Sequence, residues 1–159
     1  FIHWSNQESI NQSDSYTVTA TNTAGTQRLA AGSMIMGAKR GRDAIYVWTD
    51  TSLFTMRFVG TPFTFAYEQV GTNCGLIGKN ASVEVDGAAY WMSENGSFRY
   101  TGQLEYLACL VVVYVYDYLN TVPTNHIYAG LITSSAKLNG SIQEVVQHRI
   151  IHRLALIHL

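Results

Sequence analysis

The chain has 159 residues, of which 47% are apolar and 13% carry a charge, so the sequence predicts a folded, aromatic-rich domain with a sizeable core. Its formal net charge of −1 excludes an overall basic surface of the kind that wraps duplex DNA or binds an anionic membrane. The two cysteines, Cys74 and Cys109, form no CxxC motif and have no clustered histidines, so the sequence indicates neither a disulfide framework nor a zinc module. We therefore expect two unpaired, buried thiols and no cofactor. The longest apolar run is about ten residues, too short to span a bilayer, so no membrane contact is expected.

The first segment, residues 1–33, is rich in Ser, Thr, Asn and Gln and has no sustained hydrophobic period. This composition favours an extended or looping polar segment. Because the chain begins on Phe1 within a polar stretch, we expect it to be a fragment of a longer protein.

Residues 34–107 have a different pattern, in which short runs of β-branched and aromatic residues are separated by turn signals. This spacing predicts an all-β domain. The predicted strands are 34–38, 44–49, 52–59, 63–70, 82–85, 88–93, 97–101 and 103–107. Two dipeptides between them, Asp86-Gly87 and Asn95-Gly96, predict two-residue type I′ hairpins, since both central positions of that turn need positive φ.

The same region contains an internal repeat, which is seen when Ala44 is laid over Ala88, a shift of 44 residues. In each copy an apolar and aromatic strand is followed by a small hydroxyl residue, an acid, a tight turn and a second aromatic strand. A period of about 40 to 50 residues with four short strands is typical of a β-propeller blade. We therefore predict a partial β-propeller-like array with two four-stranded blades over 34–107. The residues expected to define the repeat are Tyr46, Trp48, Asp50 and Phe54 in the first copy and Tyr90, Trp91, Glu94 and Phe98 in the second.

The Tyr and Trp rings of this repeat have two interpretations. They could form a platform on which sugars or bases stack. Because they alternate along repeated hairpins, we expect them instead to fill the space between blades.

The pattern changes again after residue 107. Residues 108–131 contain a valine-rich run that is compatible with a short helix or a strand, followed by a loop. Residues 132–159 have apolar side chains at helical spacing, so we expect an atypical tail that is helical or disordered. His148 and His152 lie four residues apart in this tail, but the Glu of an HExxH motif is missing and we reject a metal site there.

Charged residues supply the remaining candidates for function. Lys39, Arg40 and Arg42 form the densest basic cluster, expected in a loop between two strands; they are candidates for contact with DNA phosphates, although such a cluster is more often a solvated turn. Asp50 and Glu94 are either a carboxylate pair for glycoside hydrolysis or, as we expect, acids that cap turns by accepting backbone N–H bonds. No nucleophile-and-base constellation or phosphate-binding loop is present, so we predict that the chain is not an enzyme.

Three stretches of the chain resemble a known family. Residues 47–58 (VWTDTSLFTMRF), 65–78 (FAYEQVGTNCGLIG) and 89–98 (AYWMSENGSF) are similar to the tail-hub proteins of podovirus-like phages, which are described as DNA-stabilisation, head-completion or tail-nozzle proteins. The upstream stretches 4–9 (WSNQES) and 22–25 (NTAG) fit the same pattern, so the resemblance covers roughly residues 4–131.

The resemblance implies a structural protein of the virion tail that closes the portal channel and retains packaged DNA. It implies a longer parent chain with a β-propeller, identical subunits in a ring, neighbouring portal or adaptor and tail proteins, and non-specific contact with packaged DNA. An alternative from a different class is a carbohydrate-binding or glycan-cleaving propeller, for which Asp50 and Glu94 would have to converge in one cleft.

The end of the chain departs from the family pattern. Back-translation of residues 134–147 in another reading frame can give a strand of the kind that this region should contain. We therefore hypothesise that the C-terminal tail follows a frameshift near Ser134.

Overall fold

The computed structural model describes residues 1–9, 13–108, 116–117 and 127–130. Within these ranges the chain forms ten β-strands, which confirms the all-β prediction. The strands are β1 (Ile2–Trp4), β2 (Gly25–Gln27), β3 (Ile35–Arg40), β4 (Ile45–Thr49), β5 (Ser52–Gly60), β6 (Thr64–Thr72), β7 (Ser82–Val85), β8 (Ala88–Ser93), β9 (Gly96–Tyr100) and β10 (Leu104–Leu107). The tail at 132–159, the position of the hypothesised frameshift and Cys109 lie outside the described residues.

Eight of these strands form two open, four-stranded antiparallel sheets. The first sheet has the order β3-β4-β5-β6 and the second the order β7-β8-β9-β10, so each strand pairs with its neighbour in sequence. Alternating hydrophobic runs joined by tight turns produce this arrangement, because short connections favour antiparallel neighbours. The 44-residue shift carries β4 onto β8, and the first residue of β5, Ser52, onto the first residue of β9, Gly96.

One of the two predicted type I′ turns is confirmed and the other is wrong. Asp86 and Gly87 have φ of 52° and 84°, as a type I′ turn requires. In the other hairpin Ser93 pairs with Gly96, so the turn residues are Glu94 and Asn95. Gly96 instead begins β9 with φ of 135°, where an added Cβ would lie 2.3 Å from the ring of Tyr106.

The two sheets pack face to face through aromatic side chains. Trp48 of β4 contacts Trp91 of β8 edge to face, with ring centroids 5.5 Å apart. Tyr46 contacts Tyr100 of β9 in the same manner, also at 5.5 Å. These rings belong to the main hydrophobic core, in which Trp48 is fully buried.

The segment between β6 and β7 is hydrogen-bonded to both sheets. The amide of Leu76 donates to the carbonyl of Thr49 in the first sheet, and the amide of Ile77 donates to that of Met92 in the second. Trp91 donates its indole N–H to the carbonyl of Cys74 over 2.7 Å. Cys74 is a free thiol and fully buried, and this burial raises its pKa. The segment therefore acts as a buried connection that fixes the two sheets together.

The polar N-terminal segment contains a short antiparallel pair, β1 and β2. Trp4 of β1 packs edge to face on Phe65 of β6 with ring centroids 5.3 Å apart, and also contacts Tyr67. Its indole N–H donates to the carbonyl of Thr23 over 2.7 Å. This segment is thus anchored on the first sheet by one aromatic side chain.

Candidate binding pocket between the sheets

A pocket of about 220 Å³ lies between the two sheets at the end where β4 and β8 begin. Three connections surround it: the β3–β4 loop, the Asp86-Gly87 turn and the β9–β10 turn, while β5 contributes Arg57. A Cβ added at Gly102 of the β9–β10 turn would meet no atom within 4 Å, which places open space at this side of the pocket.

Tyr46 and Tyr100 line the buried part of the pocket and are each 5% exposed. Burial is the main cause that raises the pKa of the Tyr46 hydroxyl. Electrostatic interactions with Tyr100, then with Glu84 and Asp43, raise this pKa further. The hydroxyl therefore stays protonated at neutral pH and can donate a hydrogen bond.

Four charged side chains surround these rings: Arg42, Asp43, Arg57 and Asp86. All four residues are exposed. Among the residues that the structure describes, Arg99 and Glu105 form an ion pair on the second sheet, with 2.5 Å between the guanidinium nitrogen and the carboxylate oxygen. None of the four charged side chains of the pocket forms an ion pair within these residues. The pocket thus holds two guanidinium groups and two carboxylates whose hydrogen-bonding capacity is directed to solvent.

The predicted basic cluster is divided by the structure. Lys39 and Arg40 were expected in a loop, but β3 extends through both, and they pair with Tyr46 and Ile45 of β4. The strand continues because β4 offers backbone partners as far as Ile45, which overrides the local preference for a turn. Both cations are exposed on β3, whereas Arg42 lies in the loop and lines the pocket.

The aromatic residues of the repeat lie inside the molecule. Trp48 and Trp91 are 0% and 3% exposed, so neither ring offers a face on which a sugar or base could stack. Trp91 also stacks on Phe98 with centroids 5.8 Å apart. Tyr90 and Phe54 are buried as well, at 9% and 3% exposure.

Asp50 and Glu94 lie in turns at the opposite end of the sheets, and neither lines the pocket. The Asp50 carboxylate accepts the amide N–H of Ser33 over 2.9 Å and its hydroxyl over 2.5 Å. Chiefly through the Ser33 hydroxyl, these bonds lower the pKa of Asp50. Asp50 therefore accepts backbone N–H bonds from the segment before β3, which lies outside the turn between β4 and β5. That turn is capped by Thr49, whose Oγ1 accepts the amide of Ser52 over 2.9 Å.

No protein-family model matches the chain, and a search of curated proteins finds no match.

In the described part of the chain, no helix has the length and apolarity needed to cross a bilayer. The same residues contain no cluster of three or more His, Cys, Asp or Glu side chains suited to a metal ion.

Proposed function

We propose that this chain is part of a structural protein in the tail of a tailed bacteriophage, in the hub or nozzle that closes the portal channel and retains packaged DNA. The sequence resemblance motivates the proposal. One structural observation carries it furthest: the two repeat units pack through non-equivalent faces.

The non-equivalence follows from the strand register. Trp48 packs on Trp91, but the 44-residue shift makes Met92, not Trp91, the counterpart of Trp48. Because neighbouring residues of a strand point to opposite faces, Trp91 lies on the face of β8 opposite to Met92. We call the face of the second sheet that holds Trp91 and Phe98 its backward face, and the face of the first sheet that holds Trp48 its forward face. The forward face of the first sheet therefore meets the backward face of the second.

Contacts between the first strands of successive units support the same arrangement. A Cβ at Gly37 of β3 would lie 3.3 Å from the carbonyl oxygen of Lys79, just before β7. Asn80 in turn forms a parallel bridge with Tyr128, and the amide of Ala129 donates to the carbonyl of Asn80 over 2.8 Å. Gly37, Asn80 and Tyr128 are each about one repeat apart in the sequence, and the backbone segments around them lie side by side. The inner strands of a propeller have the same arrangement.

Such an array has a mechanical role. Head-to-tail contacts generate rings when the rotation between units closes, and each large aromatic side chain in the contact removes roughly 150 to 250 Å² from water. In this proposal identical subunits form a ring beside the portal or adaptor and other tail proteins. Lys39 and Arg40, exposed on β3, then provide non-specific contact with packaged DNA.

The direct test is to sequence the source nucleic acid across the codon for Ser134 and through the flanking genes. We expect a portal gene and other tail genes nearby, and a shifted open frame that continues the strand pattern beyond residue 134. Neighbouring genes for glycan metabolism, with the present frame intact, would contradict the proposal and favour a glycan-binding protein.

A further inference from the structure

We propose that the pocket between the sheets binds a sugar phosphate, with the arginines holding the phosphate and the carboxylates accepting hydrogen bonds from the sugar hydroxyls. This site goes beyond the proposed function and does not depend on it, since it is built from residues at one end of the two described sheets.

The two arginines provide the anion-binding half of the site. Arg42 packs on the Asp86-Gly87 turn, where its Nε lies 3.5 Å from the position of a Cβ on Gly87. Arg57 lies two residues beyond Thr55, the partner of Tyr46, and therefore on the face of β5 that looks toward the second sheet. A guanidinium that has no carboxylate partner keeps its planar fork of donors for two oxygens of a phosphate.

The carboxylates determine which anion fits. Asp43 and Asp86 line the same pocket, so the formal charge of its lining is zero. A bare phosphate would be repelled by the carboxylates while it is attracted by the arginines. A ligand with a phosphate at one end and hydroxyl donors at the other satisfies both groups, and the protonated Tyr46 hydroxyl adds a donor toward a sugar oxygen.

The volume limits the size of the ligand. At about 220 Å³ the pocket is smaller than the roughly 300 to 1,000 Å³ of sites for drug-sized molecules, which corresponds to about one sugar unit with its phosphate. The open space beside Gly102 permits the sugar phosphate to be either free or part of a longer chain such as a nucleic-acid backbone.

The test is a titration of the full chain with ribose 5-phosphate, inorganic phosphate and ribose, followed by NMR of the arginine Nε–H groups and by calorimetry. We expect ribose 5-phosphate to bind at least about tenfold more tightly than either component alone and to shift the Nε signals of Arg42 and Arg57. Arg42→Ala and Arg57→Ala should each weaken this binding about tenfold or more, because each removes a charge-assisted hydrogen bond.

Matched controls are Arg28→Ala and Lys79→Ala, which remove exposed cations that do not line the pocket. Unchanged affinity in these two variants supports the site, and an equal loss in all four would overturn it. The site would also be overturned if the wild-type chain bound ribose 5-phosphate no more tightly than inorganic phosphate.

Competition by a short single-stranded oligonucleotide then identifies the source of the sugar phosphate. Competition that depends on Arg42 and Arg57 assigns the site to a nucleic-acid backbone, whereas its absence assigns it to a free sugar phosphate. The gene neighbourhood is unaffected by these outcomes, so this inference and the proposed function fail separately.

Discussion

The two tryptophans of the inter-sheet contact pack on each other but have different polar environments. The indole N–H of Trp91 donates to the buried carbonyl of Cys74, whereas the N–H of Trp48 has no hydrogen-bond partner in the described part of the chain. Both rings are almost fully buried, so the difference between them lies in hydrogen bonding and not in area. A buried donor without a partner lowers stability, while a satisfied one holds its acceptor in place.

We therefore predict that Trp91→Phe destabilises the protein by about 1 to 3 kcal/mol more than Trp48→Phe. Each substitution removes the same volume, so the comparison isolates the bond to Cys74. Urea denaturation followed by circular dichroism measures both. Equal losses in the two variants would contradict the role assigned to this hydrogen bond.

The carboxylate of Asp50 makes stability depend on pH. Its pKa is lower in the folded chain than the ordinary value of 3.8, so its contribution is complete above that value and is lost as the pH falls through the folded pKa. We predict that Asp50→Asn lowers the free energy of unfolding by about 1 kcal/mol near neutral pH, and that this difference disappears in strong acid. Asp14→Asn, at an exposed position away from this contact, serves as the control. A difference that persists at low pH would show that the charge is not responsible.

At this scale the sequence identified Asp50 as an acceptor of backbone N–H bonds but not its partner. The partner, Ser33, comes from the segment before β3, which the pattern showed only as polar and irregular. Similarly, Arg57 was seen only as part of a strand, and its place in the pocket depends on how two sheets pack. Local chemistry indicates what a side chain can do, while tertiary contacts determine what it meets.

At the scale of elements, the hairpins were the most predictable part of the chain. Alternation and turn residues give strands close to β4, β5, β8 and β9. The failure at Asn95-Gly96 has a physical cause, since a glycine with positive φ can follow a two-residue turn as well as lie within it. The segment between β6 and β7 was not predicted, because its hydrogen bonds go to two different sheets and leave no period in the sequence.

This segment is the element in which a small change should have a large effect. A Cβ at Gly75 would lie 2.1 Å from the backbone oxygen of Asp50, so the segment would have to move away from the first sheet. We predict that Gly75→Ala destabilises the chain by about 3 kcal/mol. Gly130→Ala, where no atom lies within 4 Å of the added Cβ, should change stability by less than about 0.5 kcal/mol. The unfolding midpoint in urea tests this pair, and a mild effect of Gly75→Ala would mean that the contact yields easily.

At the scale of the whole molecule, apolar side chains remain on the surface of the β5–β6 hairpin. Phe58 and Phe63 are 74% and 77% exposed. Phe58 lies on the same face of β5 as Phe54. Because Phe54 is the repeat counterpart of Phe98, this is the backward face of the first sheet. In the head-to-tail arrangement that we propose, this backward face would meet the preceding unit. Among the described residues, the outer edges of β6 and β10 have no strand partner, so their backbone groups are unpaired there. We therefore expect the isolated chain to self-associate.

Phe58→Lys should reduce this self-association and lower the unfolding midpoint only slightly, because the side chain is largely exposed in the single chain and contacts only the ring of Phe65 edge to face among the described aromatic pairs. Val18→Lys, at an exposed position in the N-terminal segment, is the matched control and should leave association unchanged. Sedimentation velocity over a range of concentrations measures both. A wild-type chain that stays a single monodisperse monomer would contradict the expectation.

The contact between unlike faces also has an evolutionary consequence. A gene segment that encodes one 44-residue unit encodes two complementary surfaces. One is the forward face, on which Trp48 lies in the first unit, and the other is the backward face, on which Trp91 lies in the second unit. Tandem duplication of such a segment by unequal crossing-over adds a sheet whose two sides match its neighbours from the start. Once the copies are in place, each face adapts only to the single neighbour that it touches. For two units that arose by such a duplication, divergence such as Trp48 against Met92 at equivalent positions is the expected result.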